Sequence, residues 1–237
     1  MAETLKSTMN RSLTFIFLII FGHYSNGQTK NMSIPTNENG EISFWFKYQQ
    51  DNFQKANLEN LQTNFDSLHF RLSTQHQAID IWTNDNEVFY GSLTSFTTEY
   101  DQEKHKKDNP KPDKFYSMKS SIDPLTAKKI YELINKQSIF NIPSGEKING
   151  WNLGSDGEEF IIEHSTKTNY SFKEYWTPSF HRNKLKEAMV IDNLTKEISI
   201  ILQMGQSFKK FIDSLPYGCY HSGSMVIICR TKNKRRK

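Results

Sequence analysis

The chain has 237 residues, 13% of them aromatic, and a formal net charge of +4 at neutral pH. That length fits one domain or two small ones and buries a core without a dense disulfide framework. The positive charge sits in a basic tail (Arg230, Lys232, Lys234, Arg235, Arg236 and Lys237); the rest is neutral to slightly acidic, which argues against a nucleic-acid-binding body.

Lys6 and Arg11 precede the apolar run Leu13–Phe21, and Gly22–Gly27 leads to Gln28. A basic start, a short apolar stretch and small residues before a cut are the parts of a cleavable signal peptide. Cleavage before Gln28 places Ser25 and Gly27 at the −3 and −1 positions. The run is too short to span a bilayer comfortably. Met9 offers an alternative start. The small-residue–Gln junction resembles signal peptides of Bacteroidetes-type bacteria, which implies a bacterial, exported protein in the periplasm or outside the cell.

Residues 28–41 are polar, with Pro35 and Gly40, and read as a flexible lead-in to a single domain over 42–230. Ile42–Tyr48 alternates enough to predict a strand, and Gln49–Phe65 a weak helix or irregular segment. His69–Leu72 is a short strand. Ala78–Trp82 and Val88–Phe96 alternate with period two around the turn-rich Thr83–Glu87, which predicts a hairpin. Asp101–Asp113 reads as a hydrophilic loop and Phe115–Ile122 as another strand.

Asp123-Pro124 supplies an N-cap and a proline at the first helical position. Leu125, Ile130, Leu133 and Ile134 follow on one face. Thr177-Pro178 carries the same start signal, and Leu185 to Leu202 repeats apolar residues at three- and four-residue spacing. Gly205 is the expected interruption, with a short helix over Phe208–Leu215. Glu159–Glu163 and Tyr170–Tyr175 form a second hairpin candidate. The order predicts an α+β fold: an antiparallel sheet built from hairpins, with two or three helices packed on one face. Residues 231–237 read as a solvated basic tail with weak affinity for anionic surfaces.

Cys219 and Cys229 flank a hairpin-like stretch. A structural disulfide is expected, because redox pairs sit closer in sequence and zinc sites want more ligands. Asn31, Asn169 and Asn193 fit the glycosylation acceptor pattern. No metal or cofactor pattern is found, so none is expected.

Binding residues are sought where loops meet aromatics. Trp151 and Asp156 lie in a Gly/Ser/Asp-rich segment before a strand, and Tyr175-Trp176 ends a strand as a candidate aromatic platform. These four residues suggest a non-catalytic binding or envelope-associated module recognising an envelope protein, a peptide or a glycan. The alternative is an exported hydrolase with a site built from Asp156, Glu158, His164 or His181.

Overall fold

The computed structural model describes residues 29–36, 39–101, 113–152, 154, 156–222 and 226–231. The segment read as a signal peptide, most of the loop expected over Asp101–Asp113, and the tail beyond Thr231 lie outside the described residues. No helix among the described residues is long and apolar enough to cross a membrane.

Mixed α and β structure is built around one large, mostly antiparallel sheet. The strands are β1 (Asn31–Ser33), β2 (Leu68–Ser73), β3 (Gln77–Thr83), β4 (Tyr90–Tyr100), β5 (Phe115–Ile122), β6 (Glu159–Ser165), β7 (Asn169–Trp176), β8 (Gly218–His221) and β9 (Ile227–Arg230). The helices are α1 (Phe44–Lys55), α2 (Pro124–Lys136), the single turn α3 (Pro178–His181), α4 (Lys186–Ile201) and α5 (Met204–Ser214). The spatial order is β1-β7-β6-β2-β3-β4-β8-β9, and β5 also pairs with β4. Only β1 against β7 is parallel among these pairs. Strand β4 is long enough to be shared: Tyr90–Ser95 pairs with β3, and Glu99–Tyr100 pairs with β8 beyond the end of that ladder.

Successive side chains of a strand face opposite sides of the sheet. Phe70, Leu72, Ile79, Ile81, Leu93 and Ile162 therefore share one face, where they meet Ala127, Ile130 and Ile134 of α2 and Ala188, Ile191, Leu194 and Ile198 of α4. The start of α2 matches its sequence signal, since Asp123 Oδ1 accepts from the Thr126 N–H at 3.0 Å. The opposite face carries Ala78, Phe96, Ile161, Tyr170 and Phe172, and these pack with Phe46, Phe53, Leu58 and Leu61. The sheet is thus covered on both faces, with α2 and α4 on one side and α1 on the other. A third, smaller cluster joins Phe211, Ile212 and Leu215 to Tyr220.

Five expectations are corrected. The helices pack on both faces of the sheet and not on one, because the strands carry apolar residues on both sides. Ile42–Tyr48 is not a strand, because Phe44 opens α1. Phe46 and Phe53 lie seven residues apart, which is about two helical turns, so a helix buries both while a strand could not be read from them. Of the segment 28–41 read as a lead-in, Lys30–Ser33 is tied down: β1 pairs with β7, and the buried Lys30 ammonium donates to Leu61 O (3.0 Å), Asn64 Oδ1 (2.7 Å) and Ser165 Oγ (2.5 Å). The helix opened by Pro178 lasts one turn, and the long helix restarts at Lys186. The break before α5 falls at Gln203, which takes a left-handed φ of 48°, while Gly205 lies inside the helix.

Cys219 and Cys229 face each other across β8 and β9 and form a disulfide.

Candidate functional site

The face covered by α1 holds two polar features with different character. The first is closed. Arg71 on β2 lies directly opposite Asp80 on β3 and Glu163 on β6. Its Nε donates to Asp80 Oδ1 at 2.7 Å, one terminal nitrogen to Glu163 Oε2 at 3.0 Å, and the other to Glu59 O at 2.9 Å. The guanidinium also lies 5.2 Å from the Phe53 ring centre. Glu163 Oε1 accepts from the Tyr170 hydroxyl at 2.5 Å and from Gln50 Nε2 of α1 at 3.1 Å. His69 joins the other end, with Nε2 3.0 Å from Asp80 and Nδ1 2.8 Å from Asp66.

Burial alone would raise the Asp80 carboxyl, but Arg71 and His69 outweigh it and hold it at about 2. Burial would likewise lower His69, and its hydrogen bonds to Asp66 and Asp80 reverse the sign and raise it. Arg71 and Glu163 are about 1% and 0% exposed. The Arg71 guanidinium is held on three sides by Asp80, Glu163 and Glu59. This charge ladder fixes α1 on the sheet through Gln50. Glu59, Asp66 and His69 offer three metal-ligating atoms within 4.8 Å of one another, yet Asp66 already accepts from Asn64 and meets His69.

The second feature is open. A groove of about 1010 Å³ runs between the start of α1, the β6–β7 end of the sheet and the β2–β3 turn. Phe44, Trp45 and Tyr48 form one wall. Their ring centres lie 5.7 Å (Phe44–Trp45) and 6.0 Å (Trp45–Tyr48) apart, and the three are 71%, 55% and 47% exposed. Such aromatic exposure needs an explanation that a core-packing helix does not supply.

Trp176 lines the groove from β7. The loop before β6 approaches its indole closely. A Cβ on Gly157 would come within 2.9 Å of the ring and run into Thr177 Oγ1, and one on Gly154 would collide with the ring edge. Glycine is required there because the backbone itself packs on the tryptophan.

The groove's acids come from register. Glu159 pairs directly with Trp176, and Glu174 lies two residues before Trp176 on the same face. Burial, a hydrogen bond with Glu159, and the charges of Glu159 and Glu146 push Glu174 up to about 8. Glu174 Oε1 and both ring nitrogens of His76 are buried without a hydrogen-bond partner. Burial also lowers His76, so its ring is neutral. The lining residues include three glutamates and no lysine or arginine.

The structure separates the residues expected from sequence. Trp176 faces the groove, but Tyr175 is fully buried on the other face, where its hydroxyl donates to Ile142 O at 3.3 Å. Adjacent strand residues cannot form one platform, because their side chains point apart. Trp151 is also core: its indole N–H donates to Trp176 O at 2.9 Å, and its ring lies against Tyr175 and His181. Asp156 and Glu158 are exposed in the turn. His164 stacks on Phe140 at 4.0 Å on the face opposite the groove, and burial with the Lys173 charge lowers it to about 4. His181 is buried, with Nε2 3.0 Å from Asn152 O. These four do not converge on one site.

Phe44, Trp45, Tyr48, His76, Glu159 and Glu174 were not singled out by sequence. A register for the 159–165/169–176 hairpin would have placed Glu159, Glu174 and Trp176 together; nothing in the sequence points to His76. No family model matches the chain, and no curated protein or solved structure matches it significantly.

Proposed function

We propose that this protein is an exported binding module that holds its ligand, an envelope protein, peptide or glycan, in the groove between α1 and Trp176. One observation carries the reading: exposed aromatic rings and three glutamates line the same open groove. Concave surfaces that combine aromatic area with a few convergent polar groups are where ligands bind. Export rests on the N-terminal segment, and the Cys219–Cys229 disulfide supports it, since such bonds persist in oxidising compartments. N-terminal sequencing of the protein from its host should begin at Gln28.

Trp45 and Trp176 are built-in reporters. Peptides and oligosaccharides titrated against residues 28–237 should change tryptophan emission, and Trp45→Ala with Trp176→Ala should abolish binding without lowering the melting temperature by more than a few degrees. Binding that persists in the folded double variant would place the ligand elsewhere.

A hydrolase reading keeps one support, the neutral Glu174, which is a carboxylic acid able to donate a proton at neutral pH. Turnover abolished by Glu174→Gln would favour this reading; a broad substrate panel with no turnover in the wild type would end it. For the tail, the reading is electrostatic: deletion of Lys232–Lys237 should weaken binding to anionic vesicles, more so at low salt.

A further inference from the structure

We infer that the groove recognises a cationic peptide segment, with a lysine or arginine side chain lying along the Phe44–Trp45–Tyr48 and Trp176 rings and its charged head at Glu146, Glu159 and Glu174. The inference rests on the binding-module reading and adds the class of ligand.

The charge of the walls comes first. Glu146, Glu159 and Glu174 are the acidic residues of the lining, and it contains no lysine or arginine. His76 and His221 are the remaining histidines there, and His76 is neutral. An anionic ligand would therefore meet repulsion with nothing to offset it. The chain as a whole is +4, so attraction of a cation would be a local property of this groove.

Hydrogen-bonding capacity narrows the choice further. Glu174 Oε1 lacks a donor. Ammonium and guanidinium groups are donors without acceptors, which matches the Glu146 and Glu159 carboxylates and the carbonyl oxygen of a protonated Glu174. Glu159 Oε2 accepts a long hydrogen bond, 3.4 Å, from Gln49 Nε2, which a stronger donor could replace.

The aromatic wall fits the same ligand. A cation near a Trp or Tyr face is attracted by the ring quadrupole, and the methylene stem of lysine or arginine covers apolar surface while its head reaches the charge. A volume of about 1010 Å³ is far more than one ammonium needs, so the cation belongs to a larger molecule. A peptide supplies both the stem and the extension.

The test uses residues 28–237 with the disulfide intact. Probes are pentalysine, the same peptide with every side chain acetylated, pentaglutamate and a neutral oligosaccharide, each followed by tryptophan emission and calorimetry. Pentalysine should bind, acetylation should weaken it at least tenfold, and pentaglutamate should not bind. Glu159→Gln with Glu174→Gln should also weaken pentalysine at least tenfold, while Asp213→Asn, an exposed acid on α5, should leave it unchanged. Melting curves show whether the double variant is folded, and Trp45→Ala serves as a second probe of the groove if it is not. Equal binding of the lysine and acetyl-lysine peptides, or of the oligosaccharide alone, with loss in Trp45→Ala, would overturn the cationic class and leave the groove reading standing. Binding unaffected by any groove variant would overturn both.

Discussion

Replacing Arg71 by methionine should destabilise the protein strongly. Arg71 is about 1% exposed and is paired at once with Asp80 at 2.7 Å and Glu163 at 3.0 Å, both buried. Methionine keeps most of the volume and the contact with Phe53 but leaves Glu163 without a counter-charge and Asp80 with His69 alone. Breaking a buried pair in this way costs about 3–5 kcal/mol. For a domain of this size, that corresponds to a melting temperature lower by roughly 6–20 °C. Urea unfolding of residues 28–237, followed by tryptophan emission, measures the loss directly.

The acid limb gives an independent check. Asp80 is held at about 2, below its ordinary 3.8. Its stabilisation is fully present above pH 3.8 and is lost as pH falls towards 2, and the gap amounts to about 2 kcal/mol. In Arg71→Met the Asp80 carboxyl loses the stronger of its two partners and its pKa rises, so the deficit of the variant should narrow on acidification from pH 7 to 4. Adding Asp80→Asn and Glu163→Gln should recover much of the loss, because no uncompensated charge then remains. A cost under about 1 kcal/mol for Arg71→Met alone would refute the ladder as the anchor beneath α1.

Glu174 titrates at about 8 in the folded protein against an ordinary 4.5. Between those values the unfolded chain loses this proton and the folded chain keeps it, so stability should fall as pH rises from 4.5 to 8. Because the carboxyl is partly exposed, the effect is discounted to about 1–2 kcal/mol; Glu174→Gln should remove it, and parallel pH–stability profiles for the two proteins would contradict the assignment. Reducing the Cys219–Cys229 bond, or Cys219→Ser, should cost about 2.5–3 kcal/mol by the chain-entropy estimate for so short a loop, measured by chemical denaturation with and without reductant. Gly157→Ala should displace Trp176, since its Cβ has no room beside the indole and Thr177; a loss of about 1–3 kcal/mol is expected, with a shift in tryptophan emission, and an unchanged spectrum would show that the loop yields instead.

Local rules alone determined the β3–β4 hairpin, the Asp123 cap of α2, the apolar stripe of α4 and the Cys219–Cys229 bond. In each, the deciding groups are neighbours along the chain or share one periodic pattern, so the signal survives without tertiary information. The same rules misread Ile42–Tyr48. Seven residues with Phe44, Trp45, Phe46 and Tyr48 satisfy a strand as readily as a helix, and the choice fell to Phe53, outside that window, which packs on the far face of the sheet.

Tertiary structure decided the rest. Alternation says that Arg71, Asp80 and Glu163 leave the apolar face of their strands, but it does not say what covers them. Water would have made them an ordinary exposed face; α1 and the segment after it made them a buried ladder instead. The groove has the same origin. Glu159, Glu174 and Trp176 meet through the register of one hairpin, and Trp45 and Tyr48 join them because a distant helix docks beside that strand end. Contacts of that kind depend on pairing and packing between segments more than a hundred residues apart, and no local pattern in the sequence encodes them.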